Sequence, residues 1–208
     1  GSAAAGKQVT DLGATPVSLS FPETYEALQR GTVDCDLGQL APNVEAGTFE
    51  VAPNIGVAPD AGIARSAGAI TAGKKYSELP VAYQQVIFDS MSTTFSTMME
   101  VVIGAKAQAV EQAKDNDGSV QPFDDDVQKQ MAKYAKTLSD KTAEKAGVDG
   151  APKTLGTAGT EWAKSVSELG YDDKGDFASL DEWYPEDASY DKLGDGLFEK
   201  VMAEHRPE

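Results

Sequence analysis

The sequence holds one cysteine and one histidine. A lone cysteine, Cys35, excludes an intrachain disulfide and any CxxC metal or redox site. It follows Asp34 in an expected buried strand, where a free thiol packs as a small hydrophobe. The lone histidine, His205, lies three residues from the C-terminus in MAEHRPE. Cys–His catalysis, Ser–His catalysis and histidine-based metal sites would all rest on that terminal side chain, a poor candidate. Positive charge is scarce as well. Eighteen Lys and Arg face 34 Asp and Glu, for a formal net charge of −16 and a pI near 4.4. Nucleic acid and anionic membrane surfaces need clustered cations, so this balance argues against both as partners. An anion is held by such a chain only in a locally positive pocket. Long apolar runs are missing too, so no segment reads as transmembrane and none as a signal peptide.

What is present is an ordinary globular composition, 40% apolar and 25% charged over 208 residues, enough for one or two domains. AAAGKQVTDLG reads as a short helix stopped by Gly13. TPVSLSF alternates Val17, Leu19 and Phe21 with serines, the period of a strand. In PETYEALQRG, Pro22 suits a first helical position, Tyr25, Ala27 and Leu28 form an inner face, and Gly31 ends the helix. TVDCDL reads as a second short strand. Helix, strand, helix, strand at this spacing predicts an α/β chain with a parallel or mixed sheet. The Ala-, Gly- and Pro-rich stretch that follows predicts strands near 49–51 and 62–70, with turns at Pro53-Asn54 and Pro59-Asp60.

From Pro80 to about Ala113, Tyr83, Ile87, Met91, Phe95, Met98 or Met99, Val102 and Val110 recur at helical spacing. A helix of that length spans two lobes or joins an oligomer; its methionines read as core. DNDGSVQPFDDD breaks it. Neither this stretch nor YDDKGDFASLDE has the ligand spacing of a calcium loop, and Asp124 to Asp126 suit the start of the next helix. That helix carries Val127, Met131, Tyr134 or Ala135, and Leu138 to a stop at Gly147. GVDGAPKTLGTAG reads as a connector, TEWAKSVSELG as a short helix, and the end as a helix bearing Leu197, Phe198, Val201 and Met202.

The stretch LGATPVSLSFPETYEALQRGTVDC resembles the solute-binding proteins of TRAP (tripartite ATP-independent periplasmic) transporters, through Gly13, Ala14, Pro16, Phe21, Glu23, Tyr25, Ala27, Leu28, Gln29, Gly31, Val33 and Asp34. YSELPVAYQQVI resembles the segment that enters the family's long bracing helix. The resemblance implies a type II periplasmic-binding-protein-like α/β fold, two lobes with crossing strands, of which this chain lacks most of the first. It divides the chain into part of the second lobe (1–50), crossing strands and hinge (51–76), bracing helix (77–116) and a C-terminal helical region (117–208). It implies no enzyme, no cofactor and no metal. It implies instead an extracytoplasmic or periplasmic protein, peripheral to the membrane, that captures a small organic acid and delivers it to TRAP membrane permease subunits. A signal or lipid-anchor segment would lie outside this sequence. The family's carboxylate-binding arginine sits in a GxKxR motif that is absent here.

By the same resemblance Phe21 would pack on the ligand's carbon skeleton, and the residues after Asp34 would form a binding loop. The family's loop often reads GQEN; here it is Cys35, Asp36, Leu37 and Gly38, which removes an amide donor and brings a carboxylate. Asp36 would then accept a hydrogen bond from a hydroxyl or ammonium group. Arg65 would reach ligand from a crossing strand. On the residues alone, Phe21 also reads as core, Asp36 as a solvated loop charge and Arg65 as a surface ion pair. Lys74 and Lys75 read as solvated. The alternative function on the same fold is an extracytoplasmic sensor or interaction protein with a partner surface on the acidic C-terminal region. Glu23 and Asp36 as an acid–base pair would make an enzyme, but nothing in the sequence brings them together.

Overall fold

The computed structural model describes residues 3–59, 71–172 and 174–208. Along the chain run α1 (Ala3–Asp11), α2 (Phe21–Gln29), α3 (Leu40–Glu45), β1 (Ile55–Val57), α4 (Val81–Asp115), β2 (Val120–Pro122), α5 (Asp125–Ala146), α6 (Ala151–Glu168), α7 (Leu180–Trp183) and α8 (Asp191–Leu197), with short 3-10 turns between several of them. The two strands pair in parallel, Ile55 opposite Val120 and Val57 opposite Pro122. Among the described residues this is the whole sheet, so the architecture is mostly helical. Arg65 and the strand expected at 62–70 lie outside the described residues.

Helix α4 organises everything else. At 35 residues it is about 50 Å long for a rise of 1.5 Å per residue. Its C-terminal half carries Ala105, Ala107, Ala109, Val110 and Ala113, all buried. Phe49, Ile55 and partly buried Leu40, Val44, Val57 and Val120 pack around Ala109 and Ala113. Leu180, with Phe177, Trp183 and Tyr184, packs around Ala107 and Val110. The small alanines let both layers approach the helix axis closely.

The C-terminal region runs antiparallel along α4 as a strap. Lys114 pairs with Asp181 at 2.7 Å and Glu182 at 3.0 Å. The Tyr184 ring lies over Gly104. Glu100 accepts the Tyr190 N–H at 3.4 Å. Gly194 sits so close that a Cβ on it would meet Ser96 Oγ at 2.1 Å and the Ser92 carbonyl at 2.7 Å. Phe198 meets Phe88 edge-on, centroids 6.4 Å apart. Last, Arg206 clamps Asp89 through two bonds of 2.7 and 2.6 Å, and Gln85 donates to the Pro207 carbonyl at 2.9 Å. On another side, α1 docks on α5: Tyr134 donates to the Ala4 carbonyl at 2.9 Å and Gln130 to that of Asp11.

Several elements follow the sequence. Gly13 (φ 89°), Gly31 (φ 64°) and Gly147 (φ 69°) end α1, α2 and α5 in the left-handed region. The long helix and the Val127–Met131–Leu138 face of α5 are in place, with Met131 buried. Other expectations are corrected. TPVSLSF is not a strand: residues 15–20 carry no regular structure, Phe21 already belongs to α2, and Val17 is 61% exposed; a strand needs a neighbour for its backbone groups, and none pairs with it among the described residues. Helix α2 starts one residue earlier than expected, at Phe21. TVDCDL is not a strand because the close of α2 claims its start: Thr32 donates both its N–H (2.9 Å) and its hydroxyl (3.0 Å) to the Ala27 carbonyl. Cys35 is therefore exposed, not buried. Residues 49–51 form no strand: Phe49 and Glu50 belong to a 3-10 turn, Thr48–Glu50, capped by Val51, that delivers Phe49 to the core. Of the expected connector GVDGAPKTLGTAG only residues 147–150 connect; residues 151–159 are the first part of α6, which tolerates Pro152 in its first turn, where no N–H is needed. On α4 itself, Tyr83, Ile87, Met98 and Val102 are exposed, so the expected apolar stripe is core only in part.

The contact of Gly194 with α4 makes Gly194→Ala the test of the strap. Relief of a clash with backbone should cost about 1–3 kcal/mol in urea denaturation, whereas Val148→Ala, half exposed at 50%, should change it by under about 1 kcal/mol.

The Arg206 clamp has a pH signature. Hydrogen bonding to the guanidinium holds the Asp89 carboxyl below its ordinary value of 3.8. A depressed folded value means that the clamp stabilises fully above the ordinary value and is lost as pH falls through the depressed one. Hydrogen-exchange protection of residues 198–207, corrected for intrinsic rate, should fall in that acid window while Ala109–Ala113 stays protected. Equal loss at both places would refute the assignment.

Candidate functional site

The site grows out of the link between α2 and α3. Phe21 to Gln29 is helical because Ser20 and Glu23 cap its start: the Glu23 carboxylate accepts the Ser20 N–H at 2.9 Å and its hydroxyl at 2.5 Å. Those bonds hold the Glu23 carboxyl below its ordinary value. Tyr25 reaches across to donate to Glu50 at 3.3 Å, tying α2 to the turn that carries Phe49. After Gly31 the chain runs through 35–39 without regular structure and enters α3.

In that link Asp36, Gly38 and Asn43 converge. The Asn43 amide donates to Asp36 Oδ2 at 3.0 Å and to the Gln39 carbonyl at 3.1 Å. Gly38 has to be glycine for the loop to close this tightly, since a Cβ there would lie 2.2 Å from Asp36 Oδ2 and 2.9 Å from Asn43 Nδ2. Asn43 is only 7% exposed, and its Oδ1 is buried with no hydrogen-bond partner. Asp36 is exposed, and among the described residues no Lys, Arg or His forms an ion pair with it.

Two of the residues named from sequence, Asp36 and Gly38, are thus brought together. Phe21 stands at the first turn of α2, 46% exposed, which corrects its reading as plain core. Arg65 is outside the described residues. Lys75 pairs with Glu78 at 2.8 Å on the surface, and Lys74 is exposed. Asn43 was missed by sequence reasoning. The one signal for it is its place four residues after Gln39, on the face of α3 that looks back at the loop. Its amide supplies a donor where the loop sequence had suggested that one was lost.

The arrangement offers hydrogen-bond acceptors and no nucleophile–base pair. Among the described residues no group of three or more His, Cys, Asp and Glu side chains is placed to hold a metal, and no helix is long and apolar enough to cross a membrane. Shallow cavities lie elsewhere among the described residues. One, near 630 Å³, is an open groove on α4 beside Thr94, Thr97, Met98 and Val101. Another, near 320 Å³, lies at the sheet beside Gly56, Gln121 and Phe123.

Residues 1–146 match the family of bacterial extracellular solute-binding proteins, family 7. The match ends at the last residue of α5, so α6, α7, α8 and the strap lie beyond it. No curated protein and no solved structure matches the chain.

Gly38→Ala tests the loop geometry. The new methyl displaces the Asp36 carboxylate, the mobile end of a short side chain, and breaks its bond with Asn43. The expected outcome is a stability loss of about 0.5–1.5 kcal/mol and a shift of the Asn43 side-chain amide in NMR spectra. An unshifted amide would mean that Asp36 and Asn43 are not held together.

Proposed function

The chain belongs to the bacterial extracellular solute-binding proteins of family 7, the solute-binding family of TRAP transporters, and from that premise we propose that it captures a small organic acid outside the cytoplasm and hands it to the TRAP membrane permease. The match over residues 1–146 carries this reading. Proteins of the family are extracytoplasmic solute binders rather than enzymes, and the permease is the natural acceptor of what they bind.

In this reading the fold is that of a two-lobed binding protein, α4 is the brace between lobes, and residues 51–76 cross between them. Asp36 and Gly38 shape one wall of the ligand site, with Phe21 against the carbon skeleton. Arg65 answers the ligand's carboxylate, because a planar guanidinium matches a carboxylate with two parallel bonds. In a chain of net charge −16 an acid is retained only where such a cation sits close by.

The test is a thermal-shift screen of short organic acids on the purified chain, followed by calorimetry on the hits. A ligand present at a hundred times its Kd stabilises by about 2.7 kcal/mol, which raises Tm by roughly 5–10 °C for a protein of this size. One acid class should do so without being consumed. Turnover of the bound compound would refute the reading, and so would a screen in which no acid shifts Tm while a protein partner is captured.

A further inference from the structure

We infer that the chain pairs with a second copy of itself through the exposed face of α4, the two helices antiparallel about a twofold axis. This pairing stands apart from the binding-protein reading. From Val81 to Val102 every exposed position of α4 is uncharged. Tyr83, Ile87, Ser90, Thr94, Thr97 and Val101 follow one another at alternating steps of four and three, the seam along which two helices pack. Tyr83 is 64% exposed, Val86 68% and Val101 58%. Single exposed apolar side chains are ordinary, but a continuous stripe of them marks an interaction surface. The polar members of the seam are already prepared for burial. Ser90 donates its hydroxyl to the Ile87 carbonyl at 2.7 Å, and Thr94 donates to that of Ser90 at 2.9 Å. Covering them strands no hydroxyl hydrogen.

Charge and shape both select a second copy as the occupant. Two chains of net charge −16 repel over most of their surfaces, and they meet at least cost on a stripe free of carboxylates. The two carboxylates in this half of α4 are taken up by the strap, Asp89 by Arg206 and Glu100 by the Tyr190 N–H. A charged partner therefore finds no counter-charge on the stripe. A closed pair also needs a patch complementary to itself, and the stripe is uneven in the way that this requires. Its N-terminal end is bulky, with Tyr83, Val86 and Ile87. Its C-terminal end is hollow, the groove near 630 Å³ beside Thr94, Thr97, Met98 and Val101. A twofold axis between Ser90 and Thr94 lays Tyr83 on Val101 of the second copy and Ile87 on its Thr97. The bulky end of each helix then fills the groove of the other, with Tyr83 as the aromatic anchor. A parallel pair would set bulk against bulk. From Tyr83 to Val102 the stripe is about 29 Å long at 1.5 Å per residue and one helix wide. That is small for a specific interface, so pairing is weak and half complete at about 10–100 µM chain.

The experiment is sedimentation equilibrium on the full chain from about 5 to 500 µM, which brackets the expected midpoint. A monomer–dimer equilibrium should appear. Raising NaCl from about 0.05 to 0.5 M should tighten it about threefold or more, because salt screens the repulsion between two acidic copies; an interface made of ion pairs would loosen instead. Thr94→Asp sets a carboxylate of each copy beside the twofold axis and should weaken pairing about tenfold or more. Val148→Asp adds the same charge outside α4 and should change it less than about twofold. Both positions are exposed, so both variants keep their fold. Direction is read from single-cysteine chains in a Cys35→Ser background: Tyr83→Cys and Val101→Cys, mixed and oxidised, should join 83 to 101 in preference to 83–83 or 101–101. A chain that stays monomeric throughout, even at high salt, would overturn the inference. So would a dimer that loosens with salt, one indifferent to Thr94→Asp, or one that crosslinks 83 to 83. The concentration and salt series on the unsubstituted chain decide the matter even where a variant folds poorly. None of these outcomes bears on the binding-protein reading, which the ligand screen decides.

Discussion

The close packing on the alanine-rich half of α4 is the constraint on which the rest depends. Ala109 and Ala113 are fully buried and Ala105 and Ala107 nearly so. Because these side chains stop at Cβ, the Phe49–Ile55 layer and the Leu180 layer both pack against the same stretch of helix. The sheet follows from it. Strand β2 begins just beyond the end of α4, and Gly118 lets that turn lie against Pro53, where a Cβ would stand 2.2 Å from the carbonyl oxygen. A bulky residue at Ala109 or Ala113 would separate the layers and, with them, the α3 scaffold that holds Asn43.

The same helix explains how an acidic C-terminal region stays docked. Its two ends are tied by cations from a chain that has few: Lys114 at one end and Arg206 at the other. Both pairs are partly exposed, and exposed pairs add little net stability. Leu180 and Leu193, each nearly fully buried, supply the apolar hold between them. Asp89 and Glu100 are the only charged residues of α4 before Lys106, and both face the strap through Arg206 and the Tyr190 N–H. Tyr83, Val86, Met98 and Val101 therefore form an uncharged, exposed face on the same helix.

Helices α1, α2, α4 and α5 were legible in the sequence because period and stop signals are local. Gly13, Gly31 and Gly147 each mark a left-handed residue that only its own turn has to justify. The strands were not. Val17, Leu19 and Phe21 alternate correctly, yet alternation makes a strand only when another strand lies alongside, and that information is not in seven residues. α6 was hidden for the opposite reason: Gly156 and Gly159 look like turn residues, but each costs a helix only about 1 kcal/mol, which neighbouring turns absorb. Much of the stretch that carries the family resemblance proves to be folding apparatus. Gly13 and Gly31 end helices, Glu23 caps one, and Tyr25 ties α2 to Glu50. Its specificity as a signature thus comes largely from chain geometry, and Asp36, where the loop departs from the family's pattern, lies just past it.

That separation bears on the candidate site. Asp36 was visible in the sequence as a departure from a loop rich in amides, but its chemistry was not, because the residue that defines it arrives from the next helix. Asn43 turns one Asp36 oxygen into a fixed acceptor of a neutral amide. The physical role that the geometry gives Asp36 is therefore to tie the 35–39 link to α3 through Asn43, with Gly38 leaving the room that this closure needs.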